Sequence, residues 1–238
     1  MGRHLEVRAA AMAATAKAKS AIYMRASKEI YAAAKSGDPD PESNLALRSA
    51  IEKYRKQCPK DVIERAIEKA KGGDAVAYIQ GRYEFMGPEG SNIIVDTLTD
   101  NVNRALVNVR TIVTRKGGKM ASVAYNFELL GILNFKATEQ ATRDAVEEAL
   151  ILGDIDVREV SIDDNEEIEV RVAPSDIDKA KDALKDLGVT DFDRAETTMY
   201  PNEWITVDGD ALGKLQDMQA QLDECEDVQA VYTNVENL

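Results

Sequence analysis

The chain has 238 residues, 44% hydrophobic and 31% charged, with 43 Asp and Glu against 30 Lys and Arg, a formal net charge of −13. This length holds one large domain or two to three small ones, and the composition is that of a folded protein. No run approaches the roughly 18 apolar residues of a membrane helix, and the Ala-rich start, broken by Lys17, Lys19 and Arg25, fails as the apolar part of a signal peptide.

Residues 8–36 read as one long Ala-rich helix, with Ile22, Ala26, Ile30 and Ala33 as its apolar stripe. The breaker Gly37-Asp38-Pro39-Asp40-Pro41 follows, then a helix over 45–57. Pro59 takes the first position of a third helix, which runs to Lys71 with Val62, Ile63, Ala66, Ile67 and Ala70 on one face. Strands over 82–86 and 92–98 flank the turn Gly87-Pro88-Glu89-Gly90 as a hairpin. Thr99 or Asp100 caps a helix to about Lys116, apolar at Val102, Leu106, Val109 and Val113, and Gly117-Gly118 stops it. Another strand is expected over 122–127.

Residues 131–200 run strand, helix, strand, strand, helix, strand, which is the ferredoxin-like order. Thr138 is the expected helix cap, and a bulge is expected near Arg158-Glu159, where the apolar phase of a 155–162 strand shifts. The tail offers a strand over 204–207, a helix carrying Leu212, Leu215, Met218 and Leu222, and a strand over 228–232. That tail is too small for its own core. The expected fold is therefore α+β: a helical domain over 1–78, a discontinuous α/β domain over 79–130 plus 202–238, and a ferredoxin-like domain over 131–201 inserted into it.

Chemistry is scarce. The chain has two cysteines, Cys58 and Cys225, and one histidine, His4, so neither a disulfide framework nor a zinc site is expected, and a reducing cytoplasm is the simplest setting. Lys116-Gly117-Gly118-Lys119 lacks the leading Gly and the Ser/Thr of a phosphate loop, and no nucleophile motif occurs. No catalytic residue, cofactor or metal ligand is expected. The carboxylates at 163–167 and 223–227 do not match a calcium loop and read as solvated turns.

Charge is more informative. Residues 1–72 carry 15 Lys and Arg against 9 Asp and Glu, residues 73–122 carry 6 against 5, and residues 123–238 carry 9 against 29. Phosphate contacts need exposed Lys and Arg with Asn or Ser/Thr as positioning donors. Arg3, Arg8, Lys17, Lys19, Arg25, Lys28, Lys53, Arg55 and Lys56 supply them in the front helices. Asn101, Arg104, Asn108, Arg110, Arg115, Lys116 and Lys119 supply them around the middle helix. From spacing alone, a phosphate-binding face and an ordinary solvated lysine-rich surface are equally good readings. The acidic ferredoxin-like segment lacks the RNA-recognition aromatic signature and repels phosphate; it suits a protein or small-ligand partner.

The stretches Leu47-Arg48-Ser49-Ala50-Ile51-Glu52-Lys53, Pro59-Lys60-Asp61-Val62-Ile63-Glu64-Arg65-Ala66, Arg82-Tyr83-Glu84, Leu98-Thr99-Asp100-Asn101-Val102-Asn103-Arg104 and Asp227-Val228-Gln229-Ala230-Val231-Tyr232 occur in order along the chain. Together they resemble the YebC family of regulators, whose relatives include the mitochondrial translational activator of cytochrome oxidase. Gly2-Arg3 and Ile30-Tyr31-Ala32-Ala33-Ala34 look most like its YeeN-type subgroup. The resemblance implies three domains, the third inserted into the second, in a cytoplasmic, non-enzymatic protein. It also implies a basic surface on DNA, as a transcriptional regulator, or on ribosomal RNA, as a translation factor. Two places depart from the family pattern. His4-Leu5-Glu6-Val7 replaces its basic-Trp-Asn-Ile opening, and Lys119-Met120-Ala121 leads straight to Ser122 where the family loop is longer.

Overall fold

The computed structural model describes residues 3–72 and 76–238, with side chains from residue 18 onward. In chain order the elements are α1 (Arg3–Ser36), α2 (Leu45–Tyr54), α3 (Lys60–Lys71), β1 (Ile79–Met86), β2 (Asn92–Thr99), α4 (Val102–Arg115) and β3 (Lys119–Met120). Then come β4 (Phe127–Lys136), α5 (Arg143–Leu152), β5 (Val157–Ile162), β6 (Glu167–Val172), α6 (Ile177–Lys185), β7 (Arg194–Pro201), α7 (Gly209–Glu224) and β8 (Val228–Thr233). The chain divides into two compact units, one from Met1–Asn126 with Glu203–Leu238 and one from Phe127–Asn202.

The first unit holds two apolar clusters. Ala26, Ile30, Tyr31 and Ala34 of α1 pack with Leu47, Ala50 and Tyr54 of α2 and Ile63, Ala66 and Ala70 of α3. Asn44 fixes the joint between α1 and α2. Its Oδ1 accepts the Leu47 amide as the α2 cap, while its Nδ2 donates to the carbonyls of Ala33 (3.0 Å) and Asp38 (2.8 Å). Pro59 is the cap residue of α3 and not its first helical residue, so the helix starts one residue later than the sequence suggests. The second cluster lies between an antiparallel sheet of order β3-β1-β2-β8 and the helices α4 and α7. Phe85, Ile93, Val95 and Val228 come from the strands, and Val109, Val113, Leu215, Met218 and Leu222 from the helices. The 79–126 and 203–238 segments thus share one sheet and one core, because neither buries an apolar face alone.

The second unit has the order β5-β6-β4-β7, antiparallel throughout, with α5 and α6 on one face. This is the ferredoxin-like arrangement expected from the element order. Its core joins Leu133 and Phe135 of β4 and Ile168, Val170 and Val172 of β6 to Val146, Leu150, Ala180 and Leu184 of the helices. The bulge sits where the apolar phase shifts, between Val157 and Glu159. Phe127 pairs with Pro201, so the chain enters and leaves this unit on neighbouring residues.

Several local expectations are corrected. Segment 122–127 is not a strand: a short turn at Ala124–Asn126 precedes β4, because the Glu84 side chain takes the Val123 and Ala124 amides that a ladder would need. Segment 204–207 makes only one bridge, Ile205 with Val235. Asn101, not Thr99 or Asp100, caps α4, and Thr142, not Thr138, caps α5. Thr138 instead closes its own turn by accepting the Ala141 amide. The buried face of α4 runs through Ala105, Val109 and Val113, leaving Val102 39% exposed.

Candidate nucleic-acid interface

Helix α4 is fixed at both ends by local chemistry. Asn101 Oδ1 accepts the Arg104 amide at 3.0 Å. At the other end Gly118 N donates to Val113 O and Gly117 N to Thr114 O, the paired bonds of a Schellman motif. Gly117 supplies the required positive φ of 90°, and a Cβ on Gly118 would lie 2.5 Å from Val113 Cγ1. The turn places Lys119 on β3, opposite Met86. With Ala105, Val109 and Val113 in the core, Asn103, Val107, Asn108, Arg110, Thr114 and Arg115 are exposed. Asn108 and Arg115 are seven residues, about 10 Å, apart on one stripe, and Arg110 lies on the other flank of the exposed arc. Among the described residues, the charged groups of Arg110, Arg115 and Lys119 have no hydrogen-bond or ion-pair partner.

The other predicted cations behave differently. Arg104 Nε donates to Asp227 Oδ2 at 3.0 Å and its Nη2 to Oδ1 at 2.8 Å; the Nη2 also reaches Asp100 at 2.8 Å. Lys28 Nζ donates to the Glu226 carbonyl at 2.6 Å and to Asp227 Oδ1 at 3.4 Å. Arg25 reaches the carbonyls of Val228 (3.0 Å) and Asp223 (2.6 Å) and the Asp223 carboxylate (3.2 Å). Asp227 is fully buried, which corrects its reading as a solvated turn residue. Burial pushes its carboxyl up, but hydrogen bonds from Arg104 and Thr99 and the charge of Lys28 more than reverse this and hold it below the usual carboxylate range. The same bonds raise the Arg104 guanidinium further. Arg25, Lys28 and Arg104 therefore form a counter-charge cluster around the turn between α7 and β8.

The remaining sequence-predicted groups divide as follows. Asn101 is spent as a helix cap, Lys116 pairs with Asp217 of α7 at 2.9 Å, and Lys53 pairs with Glu29 at 3.0 Å. Arg55 and Lys56 have partners as well. Lys19 is exposed on α1. Arg3, Arg8 and Lys17 fall outside the described side chains. The structure thus leaves Lys19, Asn108, Arg110, Arg115 and Lys119 as available groups, with Asn108, Arg110 and Arg115 on the C-terminal half of α4 and Lys119 on β3 just beyond it. Counted by compact unit, the charge asymmetry also moves. The first unit has 22 Lys and Arg against 23 Asp and Glu, and the second 8 against 20.

Two carboxylates that organise this region escaped sequence reasoning. Glu84 Oε2 accepts the amides of Val123 (2.7 Å) and Ala124 (2.8 Å), fixing the segment that follows Lys119. Asp227 sits in an ordinary acidic run, and only its isolation at the foot of an apolar strand hints at burial. Cys58 is buried, and burial pushes its thiol up. Among the described residues no cluster of His, Cys, Asp or Glu could hold a metal ion, and no helix is long and apolar enough to cross a membrane.

Comparison with known proteins agrees across the whole chain. Residues 3–73 match the TACO1/YebC protein N-terminal domain, and residues 78–235 match the TACO1/YebC second and third domain. The chain is 45% identical over 239 residues to "Probable transcriptional regulatory protein Mfl546" of Mesoplasma florum, covering 98% of this chain and 99% of that one. It is 43% identical over 225 residues to "Probable transcriptional regulatory protein YeeN" of Escherichia coli K12, covering 93% of each. Its structure is similar to the crystal structure of a conserved hypothetical protein, Aq1575, from Aquifex aeolicus. The TM-score is 0.75 at 30% identity, covering 91% of this chain and 90% of that one. Sequence motifs, domain matches and fold agree: this chain belongs to the TACO1/YebC family.

Proposed function

We propose that the protein is a non-enzymatic, cytoplasmic regulator of gene expression that binds DNA through the outer face of α4. The observation that carries this reading is the set of unpartnered, exposed cations Arg110, Arg115 and Lys119 beside Asn108, on a helix rigidly capped at both ends. Backbone contacts of this kind position a protein on a duplex, and the major groove, about 12 Å wide, admits a helix. Lys19 on α1 extends the basic surface, and Arg3, Arg8 and Lys17 belong to the same proposal. The relatives' names point to transcription and support DNA over other polyanions. We further read the first unit as two domains, 1–78 and 79–130 plus 202–238, with 131–201 as the inserted third. The acidic third domain, repelled by phosphate, serves a protein or ligand partner.

The test is a titration of duplex DNA against salt. Replacing Arg110, Arg115 and Lys119 with Ala should flatten the slope of log K against log salt by about 0.9 for each lost phosphate contact. An unchanged slope removes α4 from the interface. Sedimentation with ribosomes at a salt concentration where duplex DNA is ignored would replace DNA by ribosomal RNA as the target.

A further inference from the structure

Around the turn between α7 and β8, the cations Arg25, Lys28 and Arg104 meet the carboxylates of Asp100, Asp223, Glu226 and Asp227. The closed cluster has a net charge of −1 and repels phosphate. Its parts come from two apolar clusters of the same compact unit. Arg25 and Lys28 ride on α1, whose apolar face packs with α2 and α3. Asp223, Glu226 and Asp227 ride on the turn beside the core of the first sheet, and Arg104 rides on α4 of that same core. The hydrogen bonds of Arg25 and Lys28 cross from one core to the other, while the paired bonds of Arg104 to Asp227 stay within the second. If α1 lifts from the turn, Asp227 keeps its bidentate arginine and does not become a bare buried charge. Arg25 and Lys28 leave as a pair of cations, and the nearest carboxylate on α1, Glu29, is already paired with Lys53. The same side chains are 16% exposed while closed, too little to engage a phosphate.

We propose that Arg25 and Lys28 are a second, latched set of phosphate ligands, held off nucleic acid by the 223–228 turn and released when α1 parts from it. The proposal rests on the nucleic-acid reading above and adds an autoinhibitory contact to it. The binding surface then has two states: one made by the free α4 cations alone, and one joined by two cations from the front helices. Tyr78, whose ring lies 5.8 Å from Lys28 Nζ, faces the latch as well, and Tyr54 lies near enough to feel the charge of Arg25.

The experiment compares the salt dependence of duplex DNA binding for the wild type and for the double variant Asp223→Asn, Asp227→Asn. The variant's fold is checked by its thermal melt. Two released phosphate ligands, with Arg104 freed from Asp227 as a third, should steepen the slope by up to about 2.7. Adding Arg25→Ala and Lys28→Ala should lower it again by up to about 1.8. An unchanged slope, or a gain that removal of Arg25 and Lys28 does not lower, overturns the latch. If the wild type does not bind duplex DNA at any salt, the nucleic-acid reading fails and the latch falls with it. Should the double variant not fold, hydrogen exchange on the wild type decides. Faster exchange of the 223–229 amides with DNA bound supports opening; equal or slower exchange refutes it.

Discussion

Glu84→Ala tests how much one carboxylate oxygen does for the segment between β3 and the second unit. It removes the acceptor of two amides, at 2.7 and 2.8 Å, one of them on fully buried Val123 and one on half-buried Ala124. An unpaired buried donor costs about 1–3 kcal/mol, with bonds to a charged acceptor toward the upper end. Water relieves the Ala124 amide more readily than that of Val123, so the expected loss is about 2–4 kcal/mol from the first unit. Glu84→Gln keeps one neutral acceptor in place and should lose about half as much. The single tryptophan, Trp204, lies in the same compact unit, so urea unfolding followed by its fluorescence reads that unit directly. A loss below about 0.5 kcal/mol for Glu84→Ala, or an equal loss for both variants, would refute the argument that this side chain replaces a strand ladder.

Other expectations concern the two cores, the caps and acid. Leu150→Ala leaves a cavity in the second unit and should destabilise it by about 2–5 kcal/mol while Trp204 fluorescence reports an unchanged first unit; coincident transitions would show that the units do not unfold separately. Asn101→Ala removes the α4 cap and should cost about 1 kcal/mol, read from the urea midpoint, with Asn101→Ser nearly neutral. Asp163, Asp176 and Asp227 all have carboxyls held below their ordinary value. The first two are lowered chiefly by backbone amides, of Glu167 and Asp156, and Asp227 by Arg104 and Thr99 against the opposing effect of burial. Each is lower folded than unfolded, so its contribution is present above the unfolded value of about 3.9 and is lost as pH falls through it toward the folded value. Urea midpoints should therefore drop steeply below about pH 4, and Asp176→Asn should flatten that drop in the second unit. An unflattened drop would separate Asp176 from the acid response.

The ferredoxin-like unit was the most legible part of the chain. Ile168, Val170 and Val172 alternate with Glu167, Glu169 and Arg171, and a half-buried strand needs nothing more to fix its face. The shifted phase near Arg158 likewise marked its bulge, because one extra residue inverts a period of two. Caps were less legible. Thr99, Asp100 and Asn101 all carry competent side-chain oxygens, and the choice depends on where β2 stops, at Thr99, which still pairs with Ile79 of β1. The interface was legible as a list of cations but not as a surface. Lys28 and Arg104 look like any exposed cation until Asp227, remote in sequence, is placed between α1 and α4. Charge sums along a chain record composition, whereas ion pairing depends on tertiary contacts. Of the basic residues at this end of α4, Lys116 takes Asp217 of α7, while Arg110 and Arg115 are exposed.

The pairing of Phe127 with Pro201 has a consequence for the order in which the molecule can be built. On a chain growing from its N-terminus, the inserted unit is complete once β7 has been made, because its sheet and core are built within residues 127–202. Its host is not complete then. β2 still lacks its neighbour β8, the first sheet still lacks α7, and the cations of α1 and α4 still lack Asp227. The guest can therefore close before its host is complete, and its paired ends bring residues 126 and 203 of the host close in space. A long loop would impose a larger closure entropy on that step. Asp227 arrives 199 residues after Lys28 and 123 residues after Arg104, so the basic helices are made well before their internal counter-charge.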